Sequence, residues 1–107
     1  MNAVIAGPDD HDLGAALDEA GIVVTRAAGT ANRPALEEAG IVDAELLVLT
    51  DTELATSIPV AKDLNDDLHV VVYAADSLPE FAKGQADMLL DPELFSADAV
   101  AEELAAE

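Results

Sequence analysis

Short aliphatic runs alternate with stretches in which Ala, Leu and acidic residues recur at helical spacing, and the alternation repeats five times along the chain. The runs Asn2–Ala6, Ile22–Thr25, Leu46–Thr50, His69–Ala74 and Asp87–Leu90 are nearly continuous in apolar residues, as expected of strands covered on both faces. The stretches between and after them predict helices at about Asp12–Ala20, Pro34–Ala39, Thr52–Leu64, Leu78–Lys83 and Ala97–Ala105. Gly21 and Gly40 stand where the first two helices must stop, a position that favours a left-handed residue. Pro34 suits the first turn of its helix. Pro59 falls inside the third pattern and predicts a kink there; the alternative is a helix that begins near Ser57, after a loop over Asp51–Thr56.

Repeated strand–helix units with right-handed crossovers predict a three-layer α/β fold, Rossmann-like or flavodoxin-like. Its five-stranded parallel sheet takes the order 2-1-3-4-5, with helices on both faces. A chain of 107 residues is enough for one domain, residues 1–107, with one core and one site. In such sheets ligands bind outside the carboxyl ends of the strands where the order reverses, here between strands 1 and 3. The predicted mouth is therefore Gly7–Asp12, Thr25–Arg33, Thr50–Thr52 and Ala74–Asp76.

Charge changes this picture. The chain has 23 Asp and Glu against 4 Lys and Arg, a formal net charge of −19, yet 51% of its residues are apolar. The apolar content excludes intrinsic disorder, so the acidity reads as a solvent adaptation of a halophile with a salt-rich cytoplasm. So few basic residues argue against nucleic acid and anionic membranes as partners. No apolar run approaches the ~20 residues of a membrane span, and the start lacks a signal-peptide pattern, which predicts a cytoplasmic protein. Zero cysteines remove disulfides, thiolate metal sites and cysteine nucleophiles, and two histidines are too few for a histidine-rich metal site.

The only two arginines, Arg26 and Arg33, follow the second strand and flank a segment containing Gly29 and Thr30. A guanidinium fork, a hydroxyl and backbone N–H groups near a helix start together predict an anion or phosphate cradle; the alternative is that both arginines pair with surface carboxylates. The first strand–helix turn, Gly7-Pro8-Asp9-Asp10-His11-Asp12-Leu13-Gly14, lacks the central glycine of a dinucleotide loop and crowds three Asp where a phosphate would sit. Asp9, Asp10 and Asp51 are the candidates for a hard-cation site, set against helix capping by Asp10 or Asp12. No Walker A loop, nucleophile elbow or zincin helix occurs, so a catalytic role is not expected.

Three resemblances cover most of the chain. The segment Gly29-Thr30-Ala31-Asn32-Arg33-Pro34-Ala35-Leu36-Glu37-Glu38-Ala39-Gly40-Ile41, the strand ending Thr50-Asp51 and the later Gly84–Glu93 stretch resemble the Rossmann domain of Trk/RCK potassium-conductance regulators, shortened by one unit. That resemblance implies a nucleotide as the cofactor class. NAD is disfavoured by the missing glycine and by Thr25-Arg26 in place of a ribose-binding acid. Asp9, Asp10 and Asp51 resemble the acidic residues of response-regulator receivers, but Ala74 stands for the hydroxyl residue and Asp91-Pro92 for the Lys-Pro, which disfavours phosphorylation. The Asn32–Ile41 and Ile58–Leu68 stretches resemble a small haloarchaeal family often labelled CTP synthetase. This chain has neither the P-loop nor the cysteine amidotransferase that such an enzyme requires.

The sequence thus predicts a non-catalytic regulatory module that binds a nucleotide or small anion through Gly7, Asp9, Asp10, Thr25, Arg26, Gly29, Thr30, Arg33, Thr50 and Asp51. The alternatives are a protein-interaction subunit with a vestigial ligand crevice, associated with nucleotide biosynthesis, or a degenerate receiver-like domain. A homodimer is compatible with each.

Overall fold

The structure, a computed structural model, describes residues 1–106. Its strands are β1 (Asn2–Ala6), β2 (Val23–Ala27), β3 (Leu46–Leu49), β4 (His69–Tyr73) and β5 (Met88–Leu90). All pair in parallel in the order β2-β1-β3-β4-β5, the flavodoxin-like arrangement that the strand–helix alternation predicts. The helices are α1 (Leu13–Glu19), α2 (Arg33–Glu38), α3 (Ser57–Leu64), α4 (Glu80–Lys83) and α5 (Ala97–Ala105), with single 3-10 turns at Ile41–Asp43 and Thr52–Leu54.

The strands β1, β3 and β4 present alternate residues to two separate apolar layers. Ala3, Ile5, Leu46, Val48, Val71 and Tyr73 pack on one side with Leu13 and Leu17 of α1 and Val100 and Leu104 of α5. Val4, Leu47, Leu49, Val70 and Val72 pack on the other with Leu36 of α2, Ile58 and Ala61 of α3 and Ala82 of α4. Burial on both faces explains why β1, β3 and β4 are apolar after the Asn2 and His69 that open β1 and β4, and why their runs are so legible. Gly21 and Gly40 carry the positive φ values, +90° and +84°, expected just beyond a helix end.

Two expectations need correction. The third helix is not a long helix kinked at Pro59. It begins at Ser57, so Pro59 lies in its first turn, where a missing N–H leaves no hydrogen bond broken, and Thr52–Leu54 forms a separate 3-10 turn. The buried Ser57 hydroxyl donates to the Ala31 carbonyl at 2.8 Å and fixes this helix start against the loop before α2. The second strand ends two residues beyond Thr25, so Arg26 lies within β2, opposite Ile5, rather than in the loop after it.

Candidate functional site

Three of the four predicted segments converge at the carboxyl ends of β1, β3 and β4. The crevice they form has a volume of about 110 Å³ and is lined by Pro8, Asp9, Asp10 and His11 from the first turn, Thr50, Asp51 and Thr52 beyond β3, and Tyr73–Asp76 beyond β4, closed by Pro92. Gly7 makes the convergence possible. Its φ of +110° turns the chain out of β1, and a Cβ there would collide with the Thr50 hydroxyl and come within 3.1 Å of the Asp51 nitrogen. The Thr50 hydroxyl donates to the Ala6 carbonyl at 3.3 Å, tying the two loops together from the other side.

The fourth segment does not reach the crevice. Thr25 faces a groove at the opposite end of β1 and β2, with Asn2, Val23 and Ala39–Gly40. Gly29, at φ +56°, has open space around it, while Thr30 and Arg33 line a separate groove of about 370 Å³ between α2 and α3. Arg26 and Arg33 are not brought together, and each already holds a carboxylate. The Arg33 guanidinium lies 2.7 Å from Asp63, both on the surface.

Arg26 donates to Asp9 at 3.0 Å. The same carboxylate accepts the N–H groups of Leu13 at 2.8 Å and Gly14 at 2.9 Å, the first free donors of α1. Asp9 therefore receives the set of contacts, one guanidinium and two helix N–H groups, that an anionic ligand would receive at this turn. Asp9, not Asp10 or Asp12, is the residue that caps α1; Asp12 occupies the cap position in a left-handed conformation, φ +57°, and its side chain makes no capping bond. Gly14 is small for a reason of its own, since a Cβ there would strike the Arg26 guanidinium. Replacing Asp9 with Ala is expected to cost about 1–2 kcal/mol by leaving two N–H groups unpaired, whereas Arg26→Ala, which breaks a pair that is half exposed, costs less than about 1 kcal/mol. Denaturant titration of the two variants in the same salt checks the order.

The remaining carboxylates do not form a cation cage. Asp51 turns its Oδ1 to the Glu53 N–H at 2.9 Å and starts the Thr52–Leu54 turn. Among the described residues no group of three or more His, Asp or Glu side chains is disposed to hold a metal ion, so Asp9, Asp10 and Asp51 do not act as a set. No lysine or arginine lines the crevice, and Ala74 and Pro92 stand at the ends of β4 and β5.

Tyr73 is the one aromatic floor of the site, and pattern reading missed it because it ends an aliphatic strand like any core residue. Its hydroxyl donates to the Phe95 carbonyl at 2.7 Å, and His11 meets its ring edge-on at 5.8 Å. Burial raises the phenol pKa above its ordinary value of 10.0. The neutral phenol is thus favoured in the folded state, so its contribution is complete below pH ~10 and is lost as pH rises through the higher folded value. Tyr73 is the only tyrosine, and the chain has no tryptophan, so alkaline difference absorbance reports this residue alone. The expected result is a midpoint above 10 that coincides with falling stability, and a Tyr73→Phe variant with a shallower alkaline decline.

Comparison with known proteins bears mostly on the fold. Residues 3–104 match the profile of a family of unknown function, DUF7126. No curated protein matches. Among solved structures, a protein described as pilus assembly-related from Burkholderia pseudomallei is similar at 20% identity and a TM-score of 0.68, with 99% of this chain and 90% of that one covered. A CpaE pilus assembly protein from Burkholderia thailandensis is similar at 20% identity and 0.67, covering 99% and 98%. An orphan response regulator of H. pylori reaches 0.70 at 16% identity, covering 97% and 93%. Identities this low carry the receiver-like fold and no more.

Proposed function

The chain belongs to DUF7126, a family of unknown function, and from the chemistry of its crevice we propose that it is a non-catalytic, receiver-like regulatory module that acts by binding protein rather than by holding or transferring phosphate. One observation carries this reading. The helix N–H groups and the guanidinium that would greet an anion are all engaged by Asp9, inside a crevice lined by acids and no cation. A phosphoryl group at Asp51 would meet carboxylates of Asp9 and Asp10, with no lysine to offset its charge and an alanine, Ala74, at the end of β4. At about 110 Å³ the crevice is also well below the 300–1,000 Å³ typical of small-molecule sites. The pilus-assembly and response-regulator neighbours are compatible with this reading through fold alone. The resemblance to the family labelled CTP synthetase makes enzymes of nucleotide biosynthesis the first class of partner to try.

A nucleotide- or anion-binding role finds its support elsewhere, in the groove of about 370 Å³ where Thr30 and Arg33 lie and where the Arg33–Asp63 pair is exposed enough to exchange. Thermal unfolding in high KCl with ATP, GTP, CTP, NAD, acetyl phosphate with Mg²⁺, and beryllofluoride separates these readings. The interaction module gives no shift with any of them. A nucleotide shift that disappears in Arg33→Ala would replace it with the nucleotide reading, and a beryllofluoride shift that disappears in Asp51→Asn would make the protein a working receiver.

A further inference from the structure

The helix α4 is a single turn, Glu80–Lys83. On its side of the sheet Val72 and Leu78 are buried with Ala82, but Leu89 of β5, the register partner of Val72 and so on the same face, is 54% exposed. A longer crossover helix would cover such a leucine, as helices cover the faces of parallel sheets generally; one turn leaves it open. The result is a groove of about 290 Å³, in which Val72, Leu78 and Leu89 supply apolar surface and Asp76, Asp91 and Lys83 supply charge. It is separate from the acidic crevice, although Asp76 lines both.

We propose that this groove binds a free amino acid with an aliphatic side chain, of the size of leucine. The chain has only two lysines, and one of them lines this groove. Its ion pair with Glu80, at 3.2 Å, joins side chains that are 45% and 91% exposed, so the Lys83 ammonium exchanges partners at little cost. A ligand carboxylate takes the place of Glu80 on Lys83, the α-ammonium meets Asp76 and Asp91 beyond the ends of β4 and β5, and the side chain covers Leu89. Neither half of the ligand suffices. A simple fatty acid brings no charge to meet the two aspartates, and a simple amine leaves Lys83 on Glu80. A volume of 290 Å³ lies at the lower bound of small-molecule sites, on the scale of an amino acid rather than a nucleotide. Molar salt screens charges beyond about 3 Å, so the ionic contacts act only at hydrogen-bond range and the expected dissociation constant is modest, on the order of 0.1–1 mM.

The inference goes beyond the interaction role proposed above by giving the module a small-molecule effector, and it is tested separately. In molar KCl, L-leucine at about 10 mM is expected to raise the melting temperature of the full chain by several degrees. Glycine, leucinamide and 4-methylpentanoate, which lack the side chain, the carboxylate and the amine in turn, should each give less than a third of that shift. Lys83→Met and Leu89→Ser should weaken the response to leucine at least fivefold, while Arg33→Ala, in the groove between α2 and α3, leaves it unchanged. No shift with leucine, isoleucine or valine overturns the inference. So does a shift that glycine matches, which is exclusion of the solute from the protein surface. A leucine shift that both Lys83→Met and Leu89→Ser retain places binding elsewhere and overturns it as well. None of these results touches the nucleotide and phosphate panel, on which the interaction-module reading stands or falls.

Discussion

In dilute buffer the protein is expected to be largely unfolded, and in molar KCl to unfold cooperatively tens of degrees higher. Two like charges about 10 Å apart repel by roughly 0.4 kcal/mol in water. The net charge of −19 is spread over a body whose principal extents are 28 × 27 × 24 Å, so each uncompensated charge has several neighbours at that range. The sum at low ionic strength is of the order of 10 kcal/mol, as large as the whole stability of an ordinary domain. Unfolding relieves much of it by moving the charges apart. The ion pairs provide little relief: Arg33–Asp63 and Lys83–Glu80 are largely exposed, the Arg26 side of Arg26–Asp9 is half exposed, and Lys62 approaches Asp87 only to 3.7 Å. Screening lengths fall from about 10 Å at 0.1 M to about 3 Å at 1 M, so most of the gain should come below 1 M. Melting curves by circular dichroism from 0.1 to about 3 M KCl measure it. A melting temperature that moves by less than about 5 °C would show that the carboxylates do not repel as their number implies.

The architecture was legible because three strands are buried on both faces. Runs such as Leu46-Leu47-Val48-Leu49 admit no polar residue, and the glycines at 21 and 40 mark the helix ends. The reading slipped where a strand has one open side. In β2 the exposed Arg26 looks like the start of a loop, and ending the strand two residues early put at the crevice mouth an arginine that lies in the sheet, beside Gly14 and Asp9. The anion cradle rested on that placement. Pro59 misled in a related way, since a helical pattern continues through Thr52–Thr56 although a 3-10 turn fills that stretch. The role of Asp9 was not legible at all. It depends on the left-handed turn at Asp12, which carries a carboxylate three residues upstream back over the helix start, and no local propensity announces such a conformation for an aspartate.

Gly7→Ala is expected to cost at least about 3 kcal/mol, the largest effect of any single methyl group added to the crevice. Two separate penalties combine. At φ +110° a side chain is in a region that only glycine occupies without strain, worth of order 1–3 kcal/mol. The new Cβ also meets the Thr50 hydroxyl, and behind it the Asp51 backbone nitrogen at 3.1 Å. For a domain of this size a loss of that magnitude lowers the melting temperature by roughly 12–24 °C. A second substitution separates the two penalties. Thr50→Ala removes the colliding hydroxyl and its bond to the Ala6 carbonyl, leaving the backbone strain intact. The double variant should therefore recover part of the loss, with a favourable coupling of about 1 kcal/mol or more between the sites. Full additivity would mean that the loops after β1 and β3 part freely and that strain alone makes glycine necessary. Recovery instead would establish that the loops after β1 and β3 hold their spacing, so that an added methyl group at position 7 meets the Thr50 hydroxyl rather than displacing it.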